Sequence, residues 1–206
     1  CISISNYNVI SRRDRSLHEN REGIPTLSCS DYNKLVHIED FMEEERSWHY
    51  LHVEPEILLL GNWYRPGATE HDGFAYLQVE LAKHTQEATG IILTGDFNIH
   101  HARWLRHSNG NSIQGADLKI VSENFGLRQL VHEPTRNEYL LDLFLTDVAG
   151  AKVRVGPCIA DHNFLLASVP MPEITDLHFV RSRFNISVVN WLKLRSALSD
   201  IDWSPI

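Results

Sequence analysis

The sequence predicts an α/β fold, a sandwich of layers in which helices cover a sheet. Three consecutive segments carry this prediction. Residues 57–64 form a strongly apolar run typical of a buried strand, residues 74–88 place apolar side chains at helical spacing, and residues 91–94 form a second apolar run. The order strand, helix, strand is typical of a layered α/β domain.

The composition indicates one sizeable domain with a substantial core. The chain has 206 residues, of which 43% are hydrophobic and 22% charged. Its net charge of −8 argues against a general nucleic-acid coat, while a local basic strip would still permit contact with DNA. Three widely separated cysteines give neither a disulfide framework nor a zinc spacing, which fits a reducing compartment. No apolar run is long enough to span a bilayer, so no membrane partner is predicted.

The first part of the chain is predicted to form short strands. Three of them are expected at residues 3–10, 26–29 and 35–38. The basic cluster at residues 11–15 is expected in a solvated loop, and the acidic segment 39–46 on the surface. Residues 48–53 alternate between apolar and polar, and Pro55 separates them from the run at 57–64, which predicts a hairpin.

Helices and strands are predicted to alternate through the rest of the domain. Thr69 is the expected N-cap of the first helix and Gly90 the residue that ends it. Further expected elements are a second helix that carries Leu118, Val121 and Phe125 and closes at Gly126, and strands at 127–131, 140–146, 153–159 and 164–169, the last returning into the core. A domain boundary is placed near Pro172. Residues 173–206 are expected to be a linker with an amphipathic helix that carries Val188, Trp191, Leu194 and Leu198.

Asp96 and Asn98 directly follow the second apolar run, after Gly95. If the backbone is still extended there, side chains two residues apart point to the same side. A carboxylate and a carboxamide would then lie together at the carboxyl end of a core strand, where open α/β sheets place their ligands. Taken alone, the segment also fits an ordinary polar turn.

Polar residues at or near the ends of three other apolar strands strengthen the first reading. They are Tyr64, Asp142 and the pair Asp161-His162. Asp142 lies in the run Leu-Leu-Asp-Leu-Phe, where burying a carboxylate is costly unless it is paired. A histidine would satisfy this carboxylate and would in turn be oriented by it.

Over residues 7–170 the chain resembles the endonuclease/exonuclease/phosphatase superfamily of metal-dependent phosphodiesterases. The motifs that carry the resemblance are Tyr64-Arg65-Pro66, Gly95-Asp96-Phe97-Asn98, Leu141-Asp142-Leu143 and Asp161-His162, in the family's order. Within the superfamily it is most similar to the endonuclease domain of non-LTR (LINE-like) retrotransposons. The motifs of that group are Ile99-His100-His101 with Trp104, the segment 132–136 and the segment 141–147.

The resemblance implies a DNase I-like α/β sandwich of two mixed sheets flanked by helices. It implies that Asp96 takes the proton from the attacking water and that Asn98 positions that water. His162 would hydrogen-bond a phosphoryl oxygen, Asp142 would orient His162, and Tyr64 would contact the scissile phosphate.

The resemblance also implies substrate contacts, a cofactor and partners. Thr135, Arg65 and His100 would contact substrate. Asp161 would ligate Mg²⁺ or Mn²⁺, directly or through water. The implied partners are DNA and a downstream reverse transcriptase domain in a longer polyprotein, and the implied location is the nucleus.

The chain departs from the family pattern at two places. The family begins with a strand that bears an asparagine and a strand whose glutamate is the main metal ligand, and neither motif appears before Ser11. We therefore expect that the chain is an N-terminally truncated piece without its first strands. A Ser or Thr often precedes the family's Asp-His pair, and Ala160 stands there in this chain.

Three functional hypotheses follow. The leading one is a magnesium-dependent DNA-nicking endonuclease domain of a retrotransposon, with low or absent turnover for these residues alone, because a missing metal ligand removes several powers of ten in rate. The second is a non-catalytic remnant of the fold with weak nucleic-acid contact. The third is another phosphatase or phosphodiesterase of the superfamily, against which the segments around His100 and Thr135 count.

Overall fold

The computed structural model describes residues 4–14, 23–31, 34–40, 46–66, 73–171 and 190–200. The chain divides into two compact units, Cys1–Glu173 and Ile174–Ile206. The predicted boundary residue, Pro172, lies outside the described ranges, and that boundary stays a prediction. No helix in the described part of the chain combines the length and the apolar content that a membrane span needs.

Strands dominate the first unit. They are β1 (Tyr7–Asp14), β2 (Gly23–Cys29), β3 (Leu35–Asp40), β4 (Arg46–Val53), β5 (Glu56–Tyr64), β6 (Gly90–Asp96), β7 (Arg128–Gln129), β8 (Asp142–Thr146), β9 (Lys152–Ile159) and β10 (His162–Ser168). The helices in the described residues of this unit are α1 (Gly73–His84) and α2 (Ile113–Asn124). In the second unit, residues Trp191–Ser199 form α3, which confirms a helix there; Val188 lies outside the described ranges.

A six-stranded mixed sheet in the order β3-β4-β5-β6-β8-β7 forms the main layer. Strands β4 and β5 form the predicted antiparallel hairpin, and β5 and β6 pair in parallel. Helix α1 connects these two parallel strands, as the strand, helix, strand order predicts. Its apolar stripe is buried, with Phe74, Leu77 and Leu81 almost completely shielded from solvent.

A second layer consists of two separate antiparallel pairs, β1 with β2 and β9 with β10. Val153, Val155 and Leu165 pack against the main core, while Phe164 and Leu166 face solvent. The predicted α/β sandwich is confirmed. Among the described sheets, the main sheet is the mixed one and the two pairs are antiparallel. In the expected strand 164–169, the side chains of one face pack on the core and those of the other face are exposed.

Three local predictions are wrong, each for a packing reason. Arg12 belongs to β1, because that strand pairs with β2 along its whole length through Asp14. Arg46 is buried rather than exposed, because Glu80 of α1 forms an ion pair with it inside the core. Gly90 begins β6 and does not end a helix; a Cβ there would come within 2.9 Å of the Leu58 and Val148 side chains. The predicted N-cap Thr69 lies outside the described ranges.

Candidate active site

Three neighbouring strands of the main sheet bring polar side chains into one row. Tyr64 at the end of β5 pairs with Asp96 at the end of β6, and Asp96 pairs with Asp142 at the start of β8. Residues in register on adjacent strands project to the same face of a sheet. In the sequence, Tyr64 and Asp96 are 32 positions apart, and Asp96 and Asp142 are 46 positions apart. The register of the strands brings the three residues together.

Gly95 fixes the backbone immediately before Asp96. Its φ is +141°, and a Cβ built there would lie 1.7 Å from the carbonyl oxygen of Trp63. Only glycine therefore permits β6 to lie against β5 at this point. The Arg65 backbone N–H then donates to the Asp96 carbonyl oxygen at 2.8 Å, which holds the two strand ends together.

The Asp142 side chain accepts a hydrogen bond from His162. The distance from His162 Nδ1 to Asp142 Oδ2 is 2.7 Å. Because a carboxylate oxygen can only accept, Nδ1 carries the proton in this bond. The bond directs the other ring nitrogen, Nε2, toward Asp96, whose Oδ2 lies 3.9 Å away. The pairing that the sequence predicts for a carboxylate in an apolar strand is thus present.

Asn98 holds the carboxylate of Asp96 through both oxygens. Its Nδ2 donates to Asp96 Oδ2 at 2.9 Å, and its backbone N–H donates to Oδ1 at 3.1 Å. The same Nδ2 also donates to the Arg65 carbonyl oxygen at 2.8 Å. Asn98 has a φ of +46°, a left-handed conformation that asparagine tolerates better than most residues. In this geometry Asn98 orients Asp96.

Burial raises the pKa of Asp96 to about 6, and the nearby Asp142 carboxylate adds to the rise. His162, the Asn98 backbone N–H and Arg136 act in the opposite direction and favour the ionised form. A carboxylate whose pKa lies near neutrality is a stronger base than a solvated one, and it is still mostly ionised at pH 7.

Asp161 lies at the rim of the site with its side chain 67% exposed. Its Oδ2 accepts from Arg136 at 2.8 Å and lies 4.0 Å from His162 Nε2. One donor atom from each of Asp96, Asp142 and His162 lies within 4.8 Å of the others, a grouping able to hold a metal ion. Negative charge is therefore concentrated on one side of the cleft and is balanced at the rim by Arg136.

These groups open into a cleft of about 510 Å³. Four separate motifs contribute to its lining, through Tyr64, Asp96, Asp142 and the pair Asp161-His162. The described residues that line the cleft include no glutamate.

The predicted substrate contacts Thr135, Arg65 and His100 are not among the described residues that line the cleft. Thr135 is 0% exposed, and its hydroxyl accepts from the backbone N–H groups of Leu141 and Asp142 at 3.0 and 2.9 Å. A buried hydroxyl in these bonds supports the start of β8, and the expected contact of Thr135 with phosphate stays a prediction. Arg65 is likewise buried and donates to the Asn98 carbonyl oxygen at 3.1 Å. His100 accepts the Asn109 backbone N–H at 3.1 Å, which stabilises its own loop.

Sequence reasoning missed two contributions to the cleft. Arg136 stands in a motif that carries the resemblance, yet no role was assigned to it; its place directly after Thr135 was the available signal. Ile24 and Pro25 of β2 form part of the wall, and no local pattern in the sequence indicates this, because the packing of the second layer on the main sheet brings them there.

Comparison with known proteins adds to this geometry. Residues 58–166 match the model of a family described as endonuclease-reverse transcriptase. No curated protein matches the chain. Among solved structures, the chain is similar to the endonuclease domain of TRAS1, a telomere-specific non-LTR retrotransposon, with a TM-score of 0.64, 14% identity, and coverage of 82% of this chain and 83% of that one.

Two further solved structures are more distant. The mannosyl-6-phosphatase of Bacteroides thetaiotaomicron has a TM-score of 0.44 at 12% identity, covering 80% of this chain and 67% of that one. An endonuclease/exonuclease/phosphatase family protein from Leptotrichia buccalis has a TM-score of 0.44 at 15% identity, covering 66% and 59%. The TRAS1 comparison shows a shared fold.

Proposed function

Because this chain belongs to the endonuclease-reverse transcriptase family of the endonuclease/exonuclease/phosphatase superfamily, we propose that it hydrolyses phosphodiester bonds in DNA. The observation that carries the proposal is the alignment of Asp142, His162 and Asp96. The histidine is bonded to one carboxylate at 2.7 Å and faces the other at 3.9 Å, inside an open cleft.

Asp96 is the proposed base. Its pKa of about 6 leaves it ionised at pH 7, while burial makes it a better proton acceptor than a solvated carboxylate. Each of its oxygens accepts one hydrogen bond from Asn98 and keeps capacity for another. A water bound at that remaining position would lose its proton to Asp96 as its oxygen bonds to phosphorus. The bond between phosphorus and the 3′ oxygen would break, and that oxygen would take a proton from solvent.

His162 and Tyr64 are the proposed partners of the phosphoryl oxygens. With Nδ1 bonded to Asp142, a protonated His162 presents an Nε2–H donor to the cleft. A donor aimed at an oxygen on which negative charge develops lowers the barrier, and the Asp142 carboxylate stabilises the imidazolium that provides it. Tyr64 lies in register with Asp96 and lines the same cleft, which supports a contact between its hydroxyl group and the substrate.

The donor set fits a hard divalent cation. Carboxylate oxygens are the ligands that Mg²⁺ and Mn²⁺ prefer, and Mg²⁺ commonly keeps several waters and needs only one or two protein carboxylates. Asp161 would hold the ion at the rim, with the charges of Asp96 and Asp142 favouring its presence. When bound, such an ion supplies charge stabilisation to the phosphoryl oxygens.

The ion pair between Asp161 and Arg136 favours a second candidate function, DNA binding without turnover, because Asp161 is the proposed ligand of the divalent ion. A carboxylate already paired with a cation holds a divalent ion more weakly, and losing the ion costs several powers of ten in rate. The two candidates share the cleft and differ in whether a bond is broken.

A supercoiled-plasmid nicking assay with Mg²⁺ separates them. We expect the chain to convert supercoiled plasmid to open circles slowly, and Asp96→Ala and His162→Ala to lower that rate to background. Asp117→Ala, a change on α2 outside the cleft lining, is the matched control and should nick like the native chain. EDTA should stop nicking. If a folded native chain nicks no faster than Asp96→Ala, the hydrolytic proposal fails and a binding measurement decides the second.

We further propose that the nick leaves a 3′ hydroxyl for a reverse transcriptase domain of the same polyprotein, acting in the nucleus. The family description, which joins endonuclease and reverse transcriptase, supports this partner. A DNA polymerase should extend the nicked product with labelled nucleotides without prior phosphatase treatment. Extension that depends on phosphatase would show a 3′ phosphate and would contradict the proposal.

A further inference from the structure

A second groove lies on the solvent side of the β9–β10 hairpin, away from the residues of the catalytic cleft. Its volume is about 490 Å³, and its lining includes Lys152, Arg154, His132, Leu130 and Leu166. No residue of this lining belongs to the catalytic cleft. The groove therefore needs a separate explanation.

Strand register puts the two long cations of the groove on one face. Arg154 pairs with Leu166, and Lys152 pairs with Ser168. Side chains two apart on a strand share a face, so Lys152, Arg154, Leu166 and Ser168 lie together. The intervening Val153 packs on the core and also borders the groove, while Lys152 and Arg154 are exposed on the other face of β9.

The segment that follows β7 forms another side of the groove. Asn163 of β10 donates its backbone N–H to the Thr135 carbonyl oxygen at 2.7 Å and its side-chain Nδ2 to the Pro134 carbonyl oxygen at 3.0 Å. These bonds hold the segment after β7 beside β10. As a result His132 reaches the groove next to Leu166.

The charge of this surface is opposite to that of the chain as a whole. The chain carries a net charge of −8, yet three basic side chains line the groove, and no carboxylate is among its described lining residues. Lys152 and Arg154 are exposed and have no ion-pair partner within the described ranges. Unpaired cations on an exposed sheet face in an acidic protein are suited to a polyanion.

We propose that this groove, the Lys152–Arg154 strip, is an exosite for the phosphate backbone of duplex DNA, on the same DNA that the catalytic cleft would cut. The inference rests on the proposed function for the identity of the polyanion. Lys152 and Arg154 would contact phosphates, and the apolar floor at Leu130 and Leu166 would lie against deoxyribose.

The hairpin itself sets the distance between exosite and cleft. His162 stands at the first position of β10 and Ser168 at the last. Six strand steps of ~3.4 Å span roughly 20 Å. Base pairs are stacked ~3.4 Å apart along the axis, so a duplex that runs along β10 would meet the strip roughly six base pairs from the scissile phosphate. A nonspecific backbone contact at that distance would hold the duplex while the cleft acts.

Fluorescence anisotropy with labelled duplex DNA in EDTA tests the exosite independently of catalysis. The double variant Lys152→Ala/Arg154→Ala should bind at least roughly fivefold more weakly than the native chain at low salt. Its plot of log affinity against log salt should be less steep by about 2, because each lost phosphate contact removes about 0.9 from the slope. The conservative pair Lys152→Arg/Arg154→Lys should retain native affinity.

The matched control removes the same charge elsewhere. Lys34→Ala/Lys119→Ala deletes two cations outside the groove and should leave the salt slope within 0.5 of the native value, a margin of about half a phosphate contact. Lengthening the duplex from about 6 to about 16 base pairs should increase native affinity more than that of the strip variant, because the exosite is reached only by the longer DNA.

The outcomes separate the two proposals. Equal affinity and slope for the native chain and the strip variant would overturn the exosite and leave the nicking proposal standing. Strip-dependent DNA binding without any nicking would overturn only the hydrolytic proposal. Absence of salt-dependent DNA binding by the native chain would overturn the exosite outright. Tighter strip-dependent binding to an RNA duplex of equal length would replace DNA as its ligand.

Discussion

The imidazole of His162 is bonded through Nδ1 to Oδ2 of Asp142 at 2.7 Å, and the two residues lie 20 positions apart in the sequence. One belongs to β10 in the second layer and the other to β8 in the main sheet. This hydrogen bond therefore ties the two layers together at the cleft and sets the direction of the ring.

Asp142→Asn is expected to lower the nicking rate by about 100-fold or more, because the amide no longer stabilises an imidazolium that donates from Nε2. Asp142→Ala should cost at least as much. The measurement is the initial rate of plasmid nicking in Mg²⁺. Asp117→Asn makes the same chemical change on α2 and should leave the rate unaltered. If folded Asp142→Asn nicks DNA at the native rate, the bond from His162 to Asp142 is not needed for catalysis.

The pH dependence of folding stability should carry the signature of Asp96. Its folded pKa is raised from 3.8 to about 6, chiefly by burial, so the folded state binds this proton more tightly than the unfolded state. The stability gained from protonation is fully present below the unfolded pKa and is lost as pH rises through about 6. Asp96→Asn removes this loss, so the variant should gain stability relative to the native chain as pH rises from 3 to 7.

Urea unfolding at several pH values in EDTA measures the Asp96 effect. The difference in unfolding free energy, Asp96→Asn minus native, should increase by ~3 kcal/mol between pH 3 and pH 7. The substitution also alters the hydrogen bonds to Asn98, but this cost is the same at every pH and cancels when differences at two pH values are compared. A difference that stays level across this range would mean that the folded pKa of Asp96 is not raised.

Thr135→Val should destabilise the domain and slow catalysis together. Its hydroxyl accepts two buried backbone N–H groups, including that of Asp142, and the valine cannot replace those bonds. Each unsatisfied donor costs about 1–3 kcal/mol. Thr135→Ser keeps the hydroxyl and should retain most of the activity and stability. Thermal unfolding and nicking rates report the two effects; a stable Thr135→Val with weakened DNA binding alone would instead support a direct phosphate contact.

Glu80→Ala should strongly destabilise the domain. The Glu80 carboxylate accepts from Arg46 Nε at 2.9 Å and from Trp48 Nε1 at 2.8 Å, all within the core. Removing the carboxylate breaks this buried ion pair, at a cost of about 3–5 kcal/mol. Glu123→Ala, which breaks the exposed Lys119–Glu123 pair on α2, should change the unfolding free energy by less than ~0.5 kcal/mol. Similar melting temperatures for the two variants would contradict this reading of the core.

Local patterns in the sequence were sufficient for most strands and helices. The runs at β5 and β6 and the stripe of Phe74, Leu77 and Leu81 bury in the predicted way, because periodicity directly reflects which face meets the core. The burial of Arg46 was not predicted by such local patterns. Its burial depends on Glu80, 34 residues away on α1, and no window around Arg46 contains that partner.

In the candidate site too, local sequence patterns predict some features and tertiary packing decides the others. The sequence by itself identified Asp96, Asn98, Asp142 and His162 as candidates for the chemistry, since they are polar groups at or near the ends of apolar strands, and such groups need a partner when buried. Only the tertiary structure decided how they meet, through the registers that align Tyr64, Asp96 and Asp142 and through the packing of β10 against the main sheet.

Tertiary structure also decided which residues support the site and which line it. Thr135 and Arg65 became buried supports, Arg136 joined the rim, and Lys152 and Arg154 gathered on one face of a hairpin. Periodicity specifies the face on which a side chain lies. The neighbour across that face depends on strand pairing between distant segments, and pairing is settled by the packing of the whole domain.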